Sequence, residues 1–372
     1  MIHSLKISSY RGFSQFEMSE LGRVNLLVGT NNSGKTSVLE ALFLLASVNE
    51  PSSALWRVVS RRGERLYLDT PPRQAEIEFD VSHLFHNHEM KVGTSFSIAT
   101  KNKSSSRSVK FEIQERKLDE RHKTTEETGP QPIFLVITQT SSYGPPIHPP
   151  GLLQLTRRGG LRSEALESPR RVQRSLSAPD ASTVQFISTE SLSMDELLVM
   201  WNQITLTEAE QRVVGAIKFL EPKVQRIAPI VGTPPFYYTG RGGFVVKLSN
   251  IEQPIPIGSL GDGTWRMLAL AIALSRAKDG ILLVDEIDTG LHYTVMADMW
   301  RLISETAKVL NVQVFATTHS YDCVHSLAAI CRSEADEGSA VTLQRIDASK
   351  KKSVPFTENE IKIAAERQIE VR

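Results

Sequence analysis

Cysteine is almost missing from this chain: Cys323 and Cys331 are the only two among 372 residues. That excludes a disulfide framework and a cysteine-rich zinc site, and leaves a pair of reduced, buried thiols, as expected in the cytoplasm. A charge excess of one sign is missing too. Lys plus Arg number 43 against 42 Asp plus Glu, a formal charge of +1, so no global field draws the chain to nucleic acid or to an anionic membrane. The longest apolar runs, near residues 38 to 48 and 267 to 274, fall short of a bilayer span. The start "MIHSLKISSYRGF" alternates like a strand and has no signal-peptide core, so the expectation is a protein that neither spans a membrane nor is exported. There is no internal repeat and no heptad run long enough for a coiled-coil arm. What is present is length, enough for two or three modules that need no metal or disulfide staple.

The richest stretch is "LLVGTNNSGKTSVLEALFLLA", residues 26 to 46. An apolar strand within residues 23 to 29 runs through Gly29 into a polar loop and then a helix from about Thr36 to Val48. Gly29, Gly34, Lys35 and Thr36 fit the pattern Gly-x4-Gly-Lys-[Ser/Thr]. In that pattern backbone N–H groups curl around phosphates, the lysine meets the β and γ groups, and the threonine hydroxyl ligates magnesium. The candidate nucleotide-binding residues are therefore Gly29, Asn31, Asn32, Ser33, Gly34, Lys35, Thr36 and Ser37, with Mg-ATP as the ligand.

A second stretch decides which phosphate chemistry this is. "GILLVDEID", residues 280 to 288, is an apolar strand ending in two adjacent carboxylates. Asp285 is expected to hold the magnesium with Thr36, and Glu286 to polarise the attacking water, because hydrolysis needs a positioned base as well as charge neutralisation. A further strand, "VQVFATTHS", brings His319 to the same end, where an imidazole can touch the γ-phosphate. Catalytic candidates are thus Lys35, Glu286 and His319.

Between these halves, "AEIEFDVS", "SVKFEIQE" and "IFLVITQT" alternate apolar with polar residues, which predicts an antiparallel β lobe over 75–140 with one wet face. Residues 141–190 are rich in Arg, Pro and Ser and read as an irregular loop region. Two helices, about 192 to 202 and 207 to 221, follow within a helical insertion with return strands over 191–258, the second opened by a Thr207–Glu210 capping box. The segments 1–74 and 259–372 read as the two halves of one parallel α/β core.

Taken together, "GTNNSGKT", "SLGDGTWRMLALAIAL", "LLVDEIDTGLH" and "TTHS" resemble the ABC-type ATPase superfamily. With the start "LKISSYRGF" the resemblance narrows to its RecF, SMC and OLD-like branch. It implies a P-loop ATPase head in which two copies sandwich two ATP molecules, each between the phosphate loop of one subunit and the signature segment of the other. By that resemblance Asp288 lies in the loop crossing the dimer interface and His319 is the switch histidine. The signature departs from Leu-Ser-Gly-Gly-Gln: Leu260, Gly261, Asp262, Gly263 and Thr264 align with it, so Gly261 stands for the usual serine unless Ser259 takes that role. Asp262 or Thr264 is expected to cap the following helix. Gln185 in "VQFIS" is the candidate for the glutamine that couples the lobes to magnesium.

Single-chain OLD-like nucleases carry a Toprim domain after the ATPase, and no Asp-x-Asp cluster is present here. The expectation is an ATPase that controls a separate effector, a nuclease or toxin, as PtuA-like defence ATPases do. The alternative is a RecF-like clamp on DNA. Arg57, Arg61, Arg62 and Arg65, and then Arg157, Arg158, Arg162, Arg170, Arg171 and Arg174, would contact phosphates.

Overall fold

The computed structural model describes residues 1–47, 51–66, 77–102, 105–116, 131–142, 151–162, 184–190, 192–230, 243–331, 341–347 and 349–371. The chain opens with strands β1 (Ser4–Tyr10), β2 (Phe13–Met18) and β3 (Val24–Val28), then helices α1 (Lys35–Ala46) and α2 (Pro51–Arg61). Six strands follow: β4 (Glu78–Asp80), β5 (Ser95–Lys101), β6 (Ser106–Glu115), β7 (Ile133–Ser141), β8 (Gly151–Gln154) and β9 (Gly160–Arg162). Next come β10 (Val184–Ile187), α3 (Met194–Ile204), α4 (Glu208–Lys218), β11 (Val224–Pro229), β12 (Phe244–Leu248) and β13 (Ile255–Pro256). The last third alternates α5 (Asp262–Arg276), β14 (Ile281–Val284), α6 (Tyr293–Val309), β15 (Gln313–Thr317) and α7 (Tyr321–Leu327), and ends with β16 (Val341–Arg345), β17 (Val354–Phe356) and α8 (Glu358–Glu366).

One sheet has the order β10-β14-β15-β3-β16-β17, parallel except for β17. Its inner strands are buried on both faces, and β14 is an unbroken apolar run. Successive residues point to opposite sides: Leu27, Leu283 and Phe315 pack toward α1, whereas Leu26, Val28, Val284 and Val314 pack toward α5 and α6. Helix α1 is buried nearly all round, as expected of a helix between two sheets, and the second sheet, β2-β1-β5-β6-β7-β8, is antiparallel and covers its other side.

Several expectations need correction. Strands β1 and β2 lie in the antiparallel sheet, not in the parallel core assigned to 1–74; Leu5 and Ile7 are buried while Lys6 is exposed, the pattern of a sheet with one wet face. Among the described residues of "AEIEFDVS", 77–82, Glu78–Asp80 is a strand, and it pairs with β9 outside the six-stranded antiparallel sheet. The region read as irregular, 141–190, holds β8, β9 and β10, and β10 is an edge of the parallel sheet, with Val184–Ile187 alongside Ile281–Val284. Thr207 caps α4 through the Ala209 N–H, but the Glu210 carboxylate takes the Leu206 N–H, so the reciprocal box is not made. A complete one instead joins Ser193 and Glu196 at the start of α3.

Candidate active site

Parallel pairing brings the C-terminal ends of β3, β14 and β15 side by side, and the loop after each carries a candidate group, as is usual for α/β sheets. After β3 the backbone turns at Gly29 (φ 145°), where a Cβ would stand 2.2 Å from the Ile346 carbonyl oxygen. It enters α1 at Gly34 (φ 98°), where a Cβ would meet the Phe13 ring at 2.3 Å. Both positions need glycine for space and for dihedral angle. The first turn of α1 has no acidic residue and no side-chain cap, so its N–H groups point outward as donors for an anion. Asn31 and Asn32 are exposed beside it, and the Ser33 hydroxyl is buried with no partner. Lys35 is 5% exposed and its ammonium donates to the carbonyls of Gly29 and Thr30 at 2.8 and 2.9 Å. Burial lowers its pKa, opposed by Asp285 and Glu286. Ser37 faces away from the loop and accepts from Arg62 at 3.3 Å.

The Thr36 hydroxyl faces the Asp285 carboxylate at 3.1 and 3.2 Å. A hydroxyl and a carboxylate at the mouth of a phosphate loop are hard oxygen donors that fit Mg2+, which keeps its remaining ligands from water and phosphate. Asp285 also accepts from the Thr317 hydroxyl at 2.6 Å, and Thr317 accepts the Glu286 N–H at 2.8 Å. Glu286 is half-buried and has φ 46°, a left-handed backbone that a non-glycine residue holds only when its surroundings impose it. Asp288 accepts from Thr318 at 2.5 Å. His319, next along, is exposed, and partial burial together with the Lys35 charge lowers its pKa, which keeps the ring neutral at pH 7.

The signature residues lie at the other end of this loop system. Ser259 is exposed in a short 3-10 turn, Gly261 is the N-cap of α5 at φ 96°, and a Cβ at Gly263 would stand 3.1 Å from the Gly290 carbonyl. Among the described contacts none joins Ser259, Gly261 or Gly263 to the phosphate loop of the same chain. The expected cap is corrected: Gly261 occupies the N-cap, and the Thr264 hydroxyl turns back to the Leu260 carbonyl at 3.1 Å. Gln185 sits half-buried on β10 opposite Leu282 of β14.

Sequence reasoning missed Arg266. Only 3% exposed, it reaches from α5 to the carbonyls of Ser188, Asp285 and Glu286 at 2.8, 2.8 and 2.9 Å. Burial pulls its pKa down to about 10, against the pull of Asp288, Asp285 and Glu286. A lone arginine inside the apolar helix "WRMLALAIAL" was the available signal. Thr317 and Thr318, a polar pair ending a buried strand, were another.

The "YRGF" segment also has a definite place. The Arg11 guanidinium contacts Glu40 of α1 at 2.7 Å and Glu64 at 2.5 Å, all three nearly buried, and Phe13 fills the space behind Gly34. The first arginine cluster makes contacts within the chain while staying open to solvent: Arg61, Arg62 and Arg65 are exposed and Arg57 is half-buried. Arg62 pairs with Glu40 at 2.8 Å, Arg57 lies 3.9 Å from Glu196, and Arg61 stacks on Phe186 at 3.9 Å with Asp285 4.0 Å away. Of the second cluster, Arg157, Arg158 and Arg162 are exposed, and Arg170, Arg171 and Arg174 lie outside the described residues. Both cysteines are buried thiols. Among the described residues no helix is long and apolar enough to cross a membrane.

A phosphate loop after one parallel strand, paired carboxylates after another and a polar pair after the strand between them define a P-loop ATPase. Residues 24–322 match the family described as "AAA domain, putative AbiEii toxin, Type IV TA system", and the chain belongs to that family. It is an ATP hydrolase of the P-loop type, and the family implies use of ATP and Mg2+. An ATP/GTP phosphatase from Helicobacter pylori is 21% identical over 353 residues, covering 89% of each chain. A DNA replication and repair protein RecF from Idiomarina loihiensis is 46% identical over 44 residues, 12% of each chain. An Smc head domain with an extended coiled coil, solved bound to the C-terminal domain of ScpA from Pyrococcus furiosus, is 13% identical, with 99% of both chains covered and a TM-score of 0.47.

Proposed function

We propose that the protein is a cytoplasmic ATP-driven switch that dimerises around ATP and controls a separate effector, a nuclease or toxin, in anti-phage defence or DNA maintenance. The observation that carries the ATPase part is the Thr36 hydroxyl set against the Asp285 carboxylate beneath the N-terminus of α1. Bound Mg-ATP would supply the transferable phosphoryl group and the charge of the ion. Lys35 and the free N–H groups of α1 bind the phosphates, with Gly29, Asn31, Asn32, Ser33, Gly34 and Ser37 forming and backing the loop. Thr36 and Asp285 hold the ion, and Glu286 orients the water. His319, neutral at pH 7, contacts the γ-phosphate end. In the dimer, the turn formed by Ser259, Gly261 and Gly263 of one copy closes over nucleotide held by the other, with Asp288 at the interface. Gly263 then offers a backbone N–H at a helix start in place of a side-chain hydroxyl.

The Helicobacter pylori relative's name, ATP/GTP phosphatase, favours phosphate-bond hydrolysis, and the toxin–antitoxin wording of the family favours an effector. A RecF-like DNA clamp is the second reading, favoured by the short RecF match and by exposed Arg157, Arg158 and Arg162. Arg57, Arg61 and Arg62 already pair within the chain, with Glu196, Asp285 and Glu40, while Arg61 and Arg62 stay exposed. The test of the site is a pair of variants. Lys35→Ala is expected to lose nucleotide binding, whereas Glu286→Gln is expected to bind nucleotide and not turn it over. Wild-type turnover in Glu286→Gln removes the base assignment.

A further inference from the structure

Outside the nucleotide site, the short segment Asp80–Glu89 holds three histidines. His86 is turned inward, with Nδ1 2.9 Å from the Arg11 carbonyl. His83 and His88 are different: their Nδ1 atoms face each other at 3.2 Å, and the rings are nearly perpendicular, 80° apart, with centres separated by 4.9 Å. A straight N–H···N hydrogen bond of that length would put the ring centres about 5.5 Å apart. Two imidazoles that share one ion roughly 2.05 Å from each nitrogen would have nitrogens about 2.9–3.3 Å and ring centres about 4.5–5.2 Å apart, from octahedral to tetrahedral angles. Both observed separations fit the shared ion.

The surroundings fit as well. The far nitrogen of His83, Nε2, lies 3.5 Å from Asp80 Oδ2, within ion-pair range, which places a carboxylate where it can orient a metal-ligating ring from its second nitrogen. Asn87 and His88 both have left-handed backbones, φ 61° and 58°, which turn the second ring back upon the first. His88 is exposed, so an ion can enter from solvent.

We propose that His83 and His88 form a two-histidine site for a divalent transition ion of the Zn2+ or Ni2+ class, with Asp80 as the orienting carboxylate. Imidazole nitrogens select such ions over Mg2+, which prefers oxygen, so this site is chemically distinct from the one at Thr36 and Asp285. Among the described residues no group of three or more His, Cys, Asp or Glu side chains converges on a metal position. The described residues leave the remaining ligand positions to water or to another donor. The proposal stands apart from the nucleotide reading.

The test is calorimetric titration of the full chain with Zn2+, and separately Ni2+, without nucleotide and with excess Mg2+ present. The expected result is one ion per chain that is lost in both His83→Ala and His88→Ala and kept in His86→Ala, with affinity at least roughly tenfold weaker in Asp80→Asn. Circular dichroism on each variant checks that the fold is kept. No bound ion in the wild-type chain, or binding that His88→Ala leaves unchanged, overturns the proposal.

Discussion

Replacing Arg266 with methionine keeps most of the side-chain volume and removes its three hydrogen bonds to main-chain carbonyls. A bond from a charged donor contributes about 1.5–3 kcal/mol net, and a buried acceptor left without a donor costs about 1–3 kcal/mol. The loss is uneven: the Glu286 carbonyl keeps the Thr289 N–H at 3.1 Å, so the Asp285 carbonyl bears most of it. Against this, burying the guanidinium is itself unfavourable, since a pKa brought down to about 10 corresponds to roughly 3 kcal/mol. The expected balance for Arg266→Met is a loss of about 2–3 kcal/mol, seen as a fall in melting temperature of about 3–4 °C for a chain of this length. Function should fall further than stability. Arg266 is the one described side chain that donates to both residues of the Asp285–Glu286 turn, and Glu286 holds a left-handed backbone there. Turnover is expected to drop at least roughly tenfold, as when a positioned group shifts by a fraction of an ångström. Nucleotide affinity should stay close to wild type because the phosphate loop is untouched. Paired melting and steady-state ATPase measurements, with nucleotide binding measured separately, decide it. Arg266→Met with both wild-type melting and wild-type turnover refutes the reasoning.

Other outcomes follow from the same geometry. Arg11→Ala leaves Glu40, 1% exposed, with Arg62 as its remaining cationic partner, and should cost about 3 kcal/mol; removing the carboxylate as well, in Arg11→Met with Glu40→Leu, should recover part of that in a denaturant melt. Protonating His319 is harder in the folded chain than in the unfolded one, because its folded pKa lies below the ordinary value, so its contribution to stability is whole above the unfolded pKa and is lost as pH falls through the folded one. If neutral His319 serves turnover, the rate should hold from pH 8 to below the ordinary histidine value and decline as pH falls through the lower folded pKa, and His319→Ala should flatten that acid limb in a pH–rate profile.

What was legible in the sequence was local. Gly29 to Thr36 and Asp285–Glu286 are contiguous strings whose chemistry depends on spacing along the chain, and the strand before and helix after each are set by neighbouring apolar residues. Sheet membership depends on pairing between distant segments, which one-dimensional periodicity does not encode. For that reason β1 was legible as a strand but not as a member of the antiparallel sheet, and β2 was not read as a strand at all. Strand β10 was harder still: four residues, "VQFI", after a long stretch rich in Arg, Pro and Ser, carry too little pattern to announce an edge of the parallel core. The same limit hid Arg266, whose partners lie 78, 19 and 20 residues away in sequence. It also hid the intrachain contacts of the first arginine cluster, because nothing in the spacing of Arg57, Arg61 and Arg62 shows that Glu196, Asp285, Phe186 and Glu40 will meet them.

The most direct test of the ATP-driven switch is the solution mass of Glu286→Gln by light scattering, with and without Mg-ATP, keeping any chain that co-purifies. The account predicts monomers that become dimers on adding Mg-ATP. A mass that ignores Mg-ATP while nucleotide is shown to bind contradicts closure of the Gly261 turn over the γ-phosphate, and with it the switch.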